Sequence, residues 1–377
     1  MQRPLIPLLL LMTLLLSSLP AQEKNIIGYF QSWDWQNNPE KMQPQNIPFE
    51  KLTAVTYAFF YPLEDGKIVG MDSVADRFLL EGKSGLAEQN RPSLIGLAHK
   101  NGTKVILSIG GWDHSDNFPQ VSADPQKRRN FARWCLNHIR HYGFDGIDVD
   151  WEFPGYKSHN GTPDDKYNFT LLLQTVRDSL QQLSTKTGRD YLLSASLPAA
   201  AGHLPDIQVQ KISQILDYLN IMTYDLFGPW GSISNHNSAL YGPAKGDSAR
   251  CVDGAFRLYH QQHHIPAEKI NLGMAFYGHS YAGCSEMYSP HQGADTTLFS
   301  KNGSPGYAQI AKYFPLFDRR WDQKAQTSYL VSDSLDILVS FDDVESIKMK
   351  ADYILQKDAA GVIIWPLLGD YSAEVGT

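Results

Sequence analysis

Eight times along this chain a short run of β-branched and apolar residues alternates with an amphipathic helical pattern, and that alternation leaves few folds open. The runs are NIIGYF (25–30), LTAVTYAFF (52–60), KVILSIGG (104–111), FDGIDVDWEF (144–153) and YLLSASLP (191–198). They continue with the end of ISQILDYLNIMTYD (212–225), INLGMAFYG (270–278) and GVIIWPL (361–367). Between them lie helical patterns with ordinary start and stop residues. SLIGLAHKNG ends at Gly102, and the helix over 124–143 begins on Asp124 as N-cap and stops at Gly143. In the next one Phe169, Leu172, Leu173, Val176, Leu180 and Leu183 recur at helical spacing before Gly188. Further helices are read over 252–264 and 346–358. Buried strands alternating with helices require a parallel sheet with right-handed crossovers. Eight of them predict closure into an α/β fold of the (β/α)8 TIM-barrel type.

Residues 279–338 break the alternation. This stretch is rich in Gly, Ser, Asp and Tyr and reads as a small α+β insertion after the seventh strand. The expected organisation is a leader over 1–21, barrel strands one to seven over 22–278, the insertion over 279–338 and barrel completion over 339–377. The short stretch after the eighth strand leaves little for a last outer helix.

The leader is read from Met1-Gln2-Arg3, an almost unbroken apolar run over 5–16 and the small residues Ser17, Ser18 and Ala21. That order is the pattern of a secretory signal peptide, so the protein is expected to be secreted or periplasmic. The run is short for a bilayer span, which disfavours an uncleaved anchor. The roughly 355 residues that remain exceed one ordinary domain but suit a barrel with an insertion. Net charge is −7 with no basic run, which argues against nucleic acid or an anionic membrane surface as partner. Three cysteines (Cys135, Cys251, Cys284) have neither metal-site spacing nor a disulfide framework. Eight Trp and 19 Tyr supply rings that suit the apolar faces of pyranoses.

The chemistry concentrates in DGIDVDWEFPG, residues 145–155. Side chains at i, i+2 and i+4 of a strand share one face. Asp148, Asp150 and Glu152 therefore point together, while Ile147, Val149 and Trp151 face the helices. The other strands are expected to line that inner face with apolar residues. Pro154-Gly155 is expected to end the strand and leave Glu152 at the C-terminal mouth, where barrel active sites are built. A solvated face is disfavoured by the cost of three carboxyls in a barrel interior. A divalent-metal site lacks a His cluster and a partner acid on a neighbouring strand end. Stacked carboxyls cannot all ionise, so at least one stays protonated, and a protonated acid at a barrel mouth is a general acid. Glu152 is nearest the mouth and takes that role. Asp145 is out of phase with the inward set and is read as a structural anchor of the strand.

At these residues the sequence resembles glycoside hydrolase family 18, the chitinase family, whose D-x-x-D-x-D-x-E signature is matched by Asp145, Asp148, Asp150 and Glu152. Gly28-Tyr29 with Trp33 resembles the family's first strand, Tyr57-Ala58-Phe59 its second, and Ser108-Ile109-Gly110-Gly111-Trp112 its third, with Gly110 and Gly111 structural. Met222-Thr223-Tyr224-Asp225 resembles its sixth strand and Trp365 its eighth. The resemblance implies a secreted hydrolase of β-1,4-linked N-acetylglucosamine polymers or oligomers, working by retaining, substrate-assisted catalysis. It implies Glu152 as proton donor, Asp150 as the acetamide-orienting group, Asp148 sharing a proton with Asp150, and Tyr224 donating to the acetamide oxygen. Substrate contacts are implied for Tyr29, Phe59, Trp112, Asp225, Trp230, Tyr277 and Trp365. No metal or other cofactor is implied; the partner is chitin or N-acetylchitooligosaccharides, and the mature chain is expected to have no membrane span. One departure is His279, which follows Tyr277-Gly278 where the family often has Arg. An endo-β-N-acetylglucosaminidase acting on N-glycan cores would share the acid strand, and a non-catalytic chitin-binding lectin is the reading from a different class.

Overall fold

The computed structural model describes residues 23–82, 92–299 and 302–372. The leader read over 1–21 and the final residues 373–377 lie outside them. Among the described residues thirteen strands follow in chain order. The first seven are β1 Asn25–Gln31, β2 Ala54–Pro62, β3 Ile68–Gly70, β4 Lys104–Gly110, β5 Gly146–Asp150, β6 Leu192–Pro198 and β7 Tyr218–Met222. The remainder are β8 Ile270–Ala275, β9 Gly278–Ala282, β10 Asp318–Asp322, β11 Thr327–Ser332, β12 Ile337–Phe341 and β13 Gly361–Trp365. The parallel strands run β1-β13-β8-β7-β6-β5-β4-β2, and β1 pairs with β2 to close the ring. This is the eight-stranded barrel that the alternation predicts. β3 is a short antiparallel addition to β2.

Helices cover the barrel because each strand presents one apolar face outward. Ile147, Val149 and Trp151 join the large core between sheet and helices. Trp151 stacks on Phe118 at 5.2 Å between ring centroids and meets Phe169 edge-on at 5.5 Å. The helix Pro125–Tyr142 is capped by Asp124, which accepts from the backbone N–H of Gln126 and Lys127, and it ends on left-handed Gly143. The α-helical part of the 252–264 segment stops at Arg257, and a π turn follows over Leu258–Gln262. There His260 is tied to the Ile265 carbonyl at 2.8 Å and stacks on Phe256.

Between β8 and the helix Val344–Gln356, β9 to β12 form a separate antiparallel sheet, ordered β10-β11-β12-β9. The helix Tyr307–Lys312 accompanies it. β9 pairs with β12 directly, Gly278 opposite Phe341 and Ala282 opposite Ile337. Among the described residues no helix is long and apolar enough to cross a membrane, and all three cysteines are buried and free.

Two expectations about the barrel are corrected. The acidic strand leaves the ladder at Asp150, short of Phe153. From there its backbone is held by side chains: Glu152 N–H donates to Ser115 Oγ at 2.8 Å, and the Glu152 carbonyl accepts from His159 Nδ1. The inner face is also not uniformly apolar. Ile27, Ala54, Ala58, Phe59, Ile106 and Ile363 form an apolar half. The other half carries Ser108, Asp148, Asp150, Ser194, Ser196, Asn220 and Asn271, all buried. A buried carboxylate needs donors, and these are the neighbours that supply them.

Asp145 ties the floor of β5 to both sides. Its Oδ2 accepts from Val105 N–H at 2.8 Å and meets His99 Nε2 at 2.7 Å, while Oδ1 accepts from Arg189 at 2.7 Å. The Arg189 and His99 side chains are substantially exposed, so screening leaves those pairs little weight. The Val105 N–H is buried and has no solvent to fall back on. Asp145→Ala should therefore lower stability by about 1–3 kcal/mol, read as a lower thermal midpoint. An unchanged midpoint would show that the anchor is dispensable.

Candidate active site

Asp148 lies deepest and is fully buried. Its register explains its partners: on β5 it stands opposite Ser108 of β4 and Ser194 of β6. Ser194 Oγ donates to Oδ1 at 2.6 Å and Ser108 Oγ to Oδ2 at 2.8 Å. Tyr29 OH at 3.1 Å and Ser196 Oγ at 3.2 Å also reach Oδ2, and Asn220 Nδ2 reaches Oδ1 at 3.2 Å. Burial raises this carboxyl above the usual range, and the hydroxyl donors offset part of that rise.

Asp150 is two residues nearer the mouth and is treated differently by its surroundings. Its Oδ1 is buried without a hydrogen-bond partner. The proton-sharing hydrogen bond expected between Asp148 and Asp150 is not formed in this structure, because Asp148 spends its acceptor positions on hydroxyl and amide donors. Burial, then the neighbouring charges of Glu152 and Asp148, hold the Asp150 carboxyl well above the ordinary range. Asp150 therefore keeps its proton at pH values where Asp148 has lost its own.

Glu152 sits where two cavities meet. One of about 680 Å³ is walled by Trp112, Phe153, Tyr156, His203, Trp230 and Arg250. The other, of about 320 Å³, is lined by Tyr29, Trp33, Phe59, Asp150, Ser196 and Trp365. Trp112, Glu152, Met222, Tyr224 and Asp225 border both, so one groove crosses the acid. Burial, then the negative charges of Asp225 and Asp113, push the Glu152 carboxyl up to about 8. It is thus protonated at neutral pH.

Gly110 and Gly111 let this arrangement form. Both have positive φ, +123° and +87°. A Cβ at Gly110 would lie 2.0 Å from the Asp150 carbonyl, and one at Gly111 2.6 Å from the Phe59 ring. The Gly111 N–H donates to that same Asp150 carbonyl at 2.8 Å. Trp112 then emerges half exposed at the groove, in contact with His159 at 4.7 Å and Tyr156 at 5.6 Å between ring centroids. Trp230, across the groove, is 64% exposed. An aromatic side chain left this open is available to a ligand.

Tyr224 is buried at the shared border, its hydroxyl held well above the ordinary range by burial and then by the Asp150 charge. Trp365 forms the floor of the smaller cavity with Phe59 at 5.9 Å, and Trp33 stacks on Phe59 at 5.5 Å. Trp35, by contrast, packs on Phe78 at 4.6 Å, away from the groove. Asp225 has φ +53° and is held through Oδ1 by Tyr277 OH at 2.5 Å and His279 Nε2 at 2.7 Å. His279 Nδ1 meets Ser304 Oγ at 3.1 Å, so the histidine that departs from the family pattern still faces an acid of the groove. Among the described residues no group of three or more His, Cys, Asp or Glu side chains is placed to hold a metal ion.

Several contributors were not singled out in the sequence. Ser194, Ser196 and Asn220 occupy alternate inward positions of β6 and β7, a signal the period of two contained. Ser115, His159 and Arg250 come from loops, where no periodicity marks them. The Glu152 environment is open to direct measurement: carboxyl-labelled ¹³C NMR should show Glu152 titrating near pH 8, and lower in Asp225→Asn. Titration in the ordinary glutamate range, about 4 to 5, would contradict this geometry.

Comparison with known proteins agrees with this architecture. The family described as Glycosyl hydrolases family 18 matches residues 25–370. Chitinase A1 of Niallia circulans is 35% identical over 283 residues, covering 71% of this chain and 40% of that protein. Chitotriosidase-1 of Mus musculus is 31% identical over 386 residues, covering 96% and 77%. Chitinase ChiA74 from Bacillus thuringiensis superposes with a TM-score of 0.83 at 30% identity, covering 92% of this chain and 66% of that one. The chain thus spans 40% of the Niallia protein and 66% of the Bacillus one. A match running from the first barrel strand past the last, with the full acid signature along β5, shows that this chain belongs to glycosyl hydrolases family 18.

Proposed function

We propose that this protein is a secreted chitinase-type hydrolase that cleaves β-1,4-linked N-acetylglucosamine chains with retention, using the substrate's own 2-acetamido group as nucleophile. The observation that carries this reading is Asp150: a buried carboxyl whose Oδ1 lacks a partner, beside an acid that is protonated at neutral pH. A buried polar atom left unpaired is costly unless a ligand completes it. An acetamide N–H is such a partner.

In the first step Glu152 transfers its proton to the glycosidic oxygen as the C1–O bond breaks. The acetamide carbonyl oxygen of the same sugar bonds to C1, giving an oxazolinium ion. Asp150 accepts the acetamide N–H on its unpartnered Oδ1, which orients the group and favours the positive charge that develops on it. Tyr224 donates to the acetamide oxygen and aligns it for attack. In the second step water attacks C1, Glu152 takes its proton and the acetamide is restored. Two inversions at C1 give net retention.

The groove matches a linear chain because it continues on both sides of Glu152. Trp365, with Phe59 and Tyr29 beside it, forms the floor under the sugar that reacts. Trp112 and Trp230 stack on sugars along the larger cavity, and Asp225, braced by Tyr277, binds near the reacting ring. Chitin or its oligosaccharides are the partners, and no cofactor enters the steps. The leader pattern over 1–21 supports export.

With chitohexaose as substrate, Glu152→Gln should lose about 10²–10⁴-fold or more in kcat. The wild-type kcat/KM should fall as pH rises past about 8, since the donor must be protonated. Equal rates in wild type and variant would overturn the reading. Turnover of a high-mannose glycoprotein in preference to the hexamer would assign the same chemistry to N-glycan cores. Tight binding without turnover would make the protein a lectin.

A further inference from the structure

A chain of three inward-facing amides runs from the barrel floor to Asp148. Asn25 Nδ2 donates to Asn271 Oδ1 at 3.1 Å, and Asn271 Nδ2 donates to Asn220 Oδ1 at 2.9 Å. Asn220 Nδ2 then reaches the Tyr29 hydroxyl at 3.0 Å and Asp148 Oδ1 at 3.2 Å. Register accounts for the line: Asn271 stands opposite Asn220, and Asn220 opposite Ser196. Asn25 and Asn271 are on strands that do not pair. β13 lies between them, and at that level it carries Gly361, which stands opposite both. With no side chain in the way, the two amides meet across it. A Cβ at Gly361 would come within 2.1 Å of the Asn25 carbonyl.

Chemistry fixes the direction of the chain. A carboxylate only accepts, so Asn220 must turn its NH₂ to Asp148 and its oxygen to Asn271. Asn271 must then present its own NH₂ and keep its oxygen for Asn25. Each amide locks the next, and a reversed Asn220 would aim an oxygen at both Asp148 and the Tyr29 hydroxyl oxygen.

We propose that Asn271 is a positioning residue for the reaction, holding Asn220 in the one orientation that donates to Asp148, with Asn25 and Gly361 as its support. Its role is to keep Asp148 the ionised member of the acid array, so that the proton stays on Asp150 and Glu152. Facing Asp148 are Tyr29 on β1, Asp150 on its own strand and Tyr224 beyond β7, while β4 and β6 contribute the hydroxyls of Ser108, Ser194 and Ser196. This inference rests on the hydrolase reading above.

The test is the pH profile of kcat on chitohexaose, with thermal midpoints measured in parallel. Asn271→Leu removes the donor to Asn220. The acid limb should move up by about half to one pH unit, a three- to tenfold loss of rate on that limb. Asn271→Asp keeps the size but pulls the Asn220 NH₂ towards itself and turns its oxygen on Asp148. It should move the limb further than Leu does. Should either buried variant not fold, Asn25→Ala at the half-buried end of the chain should give a smaller shift in the same direction. A lowered midpoint with an unmoved acid limb in the folded variants would overturn the proposal. Absence of turnover in the wild type would instead defeat the hydrolase reading itself.

Discussion

The burial of the Asp148 carboxylate inside a closed barrel is the constraint on which the rest of this structure depends. No water shell is available at that depth, and an ion left without donors there is destabilising by several kcal/mol or neutralises itself. The protein answers with hydroxyls and an amide from four other strands: Tyr29 on β1, Ser108 on β4, Ser194 and Ser196 on β6, and Asn220 on β7. Supplying those donors determines which residues face inward across half the barrel. It also determines what is left over. With Asp148 holding the charge, Asp150 is buried with an unpartnered oxygen, and Glu152 above it stays protonated. One satisfied ion thereby leaves an unsatisfied neighbour and an acid ready to donate, the two features on which the proposed mechanism rests.

The insertion contributes to the same site from outside. β9 leaves the barrel two residues after β8 ends and carries His279 to Asp225. The loop that bears Asp225 and Trp230 is fastened to this sheet through Asn237, whose N–H donates to Ser340 Oγ at 2.8 Å and whose Oδ1 accepts from Asp225 N–H at 2.8 Å. The small sheet thus braces one wall of the groove as well as extending it. Asp225 in turn raises the Glu152 carboxyl, so the insertion influences the acid through a single carboxylate.

The barrel was legible in the sequence because its two periods are clean: runs such as KVILSI alternate with helices closed by residues such as Asp124 and Gly143. The acid array was legible for the same reason, since Asp148 and Asp150 share a face only if the segment is a strand. What stayed hidden has physical causes. Ser194, Ser196 and Asn220 are weak strand formers, so they read as interruptions of an apolar pattern instead of as the donors a buried acid needs. Beyond the end of β5 at Asp150 the backbone is held by Ser115 and His159, loop residues on either side of the strand that no periodicity marks. The insertion gave no period because the pairing that joins its two ends runs from residues 278–282 to 337–341, and such a long-range ladder leaves little local pattern. The amide chain was invisible for a related reason: its members lie on β1, β8 and β7, which only long-range strand pairing through β13 brings together.

Locating the protons in the acid array tests this account most directly. A neutron structure of the deuterium-exchanged protein near pH 6 should show Asp148 without a deuteron, accepting from Ser108, Ser194, Tyr29 and Asn220. Asp150 and Glu152 should each carry one. A deuteron on Asp148, with Asp150 bare, would contradict the assignment of charge from which both the proposed mechanism and the role of Asn271 follow.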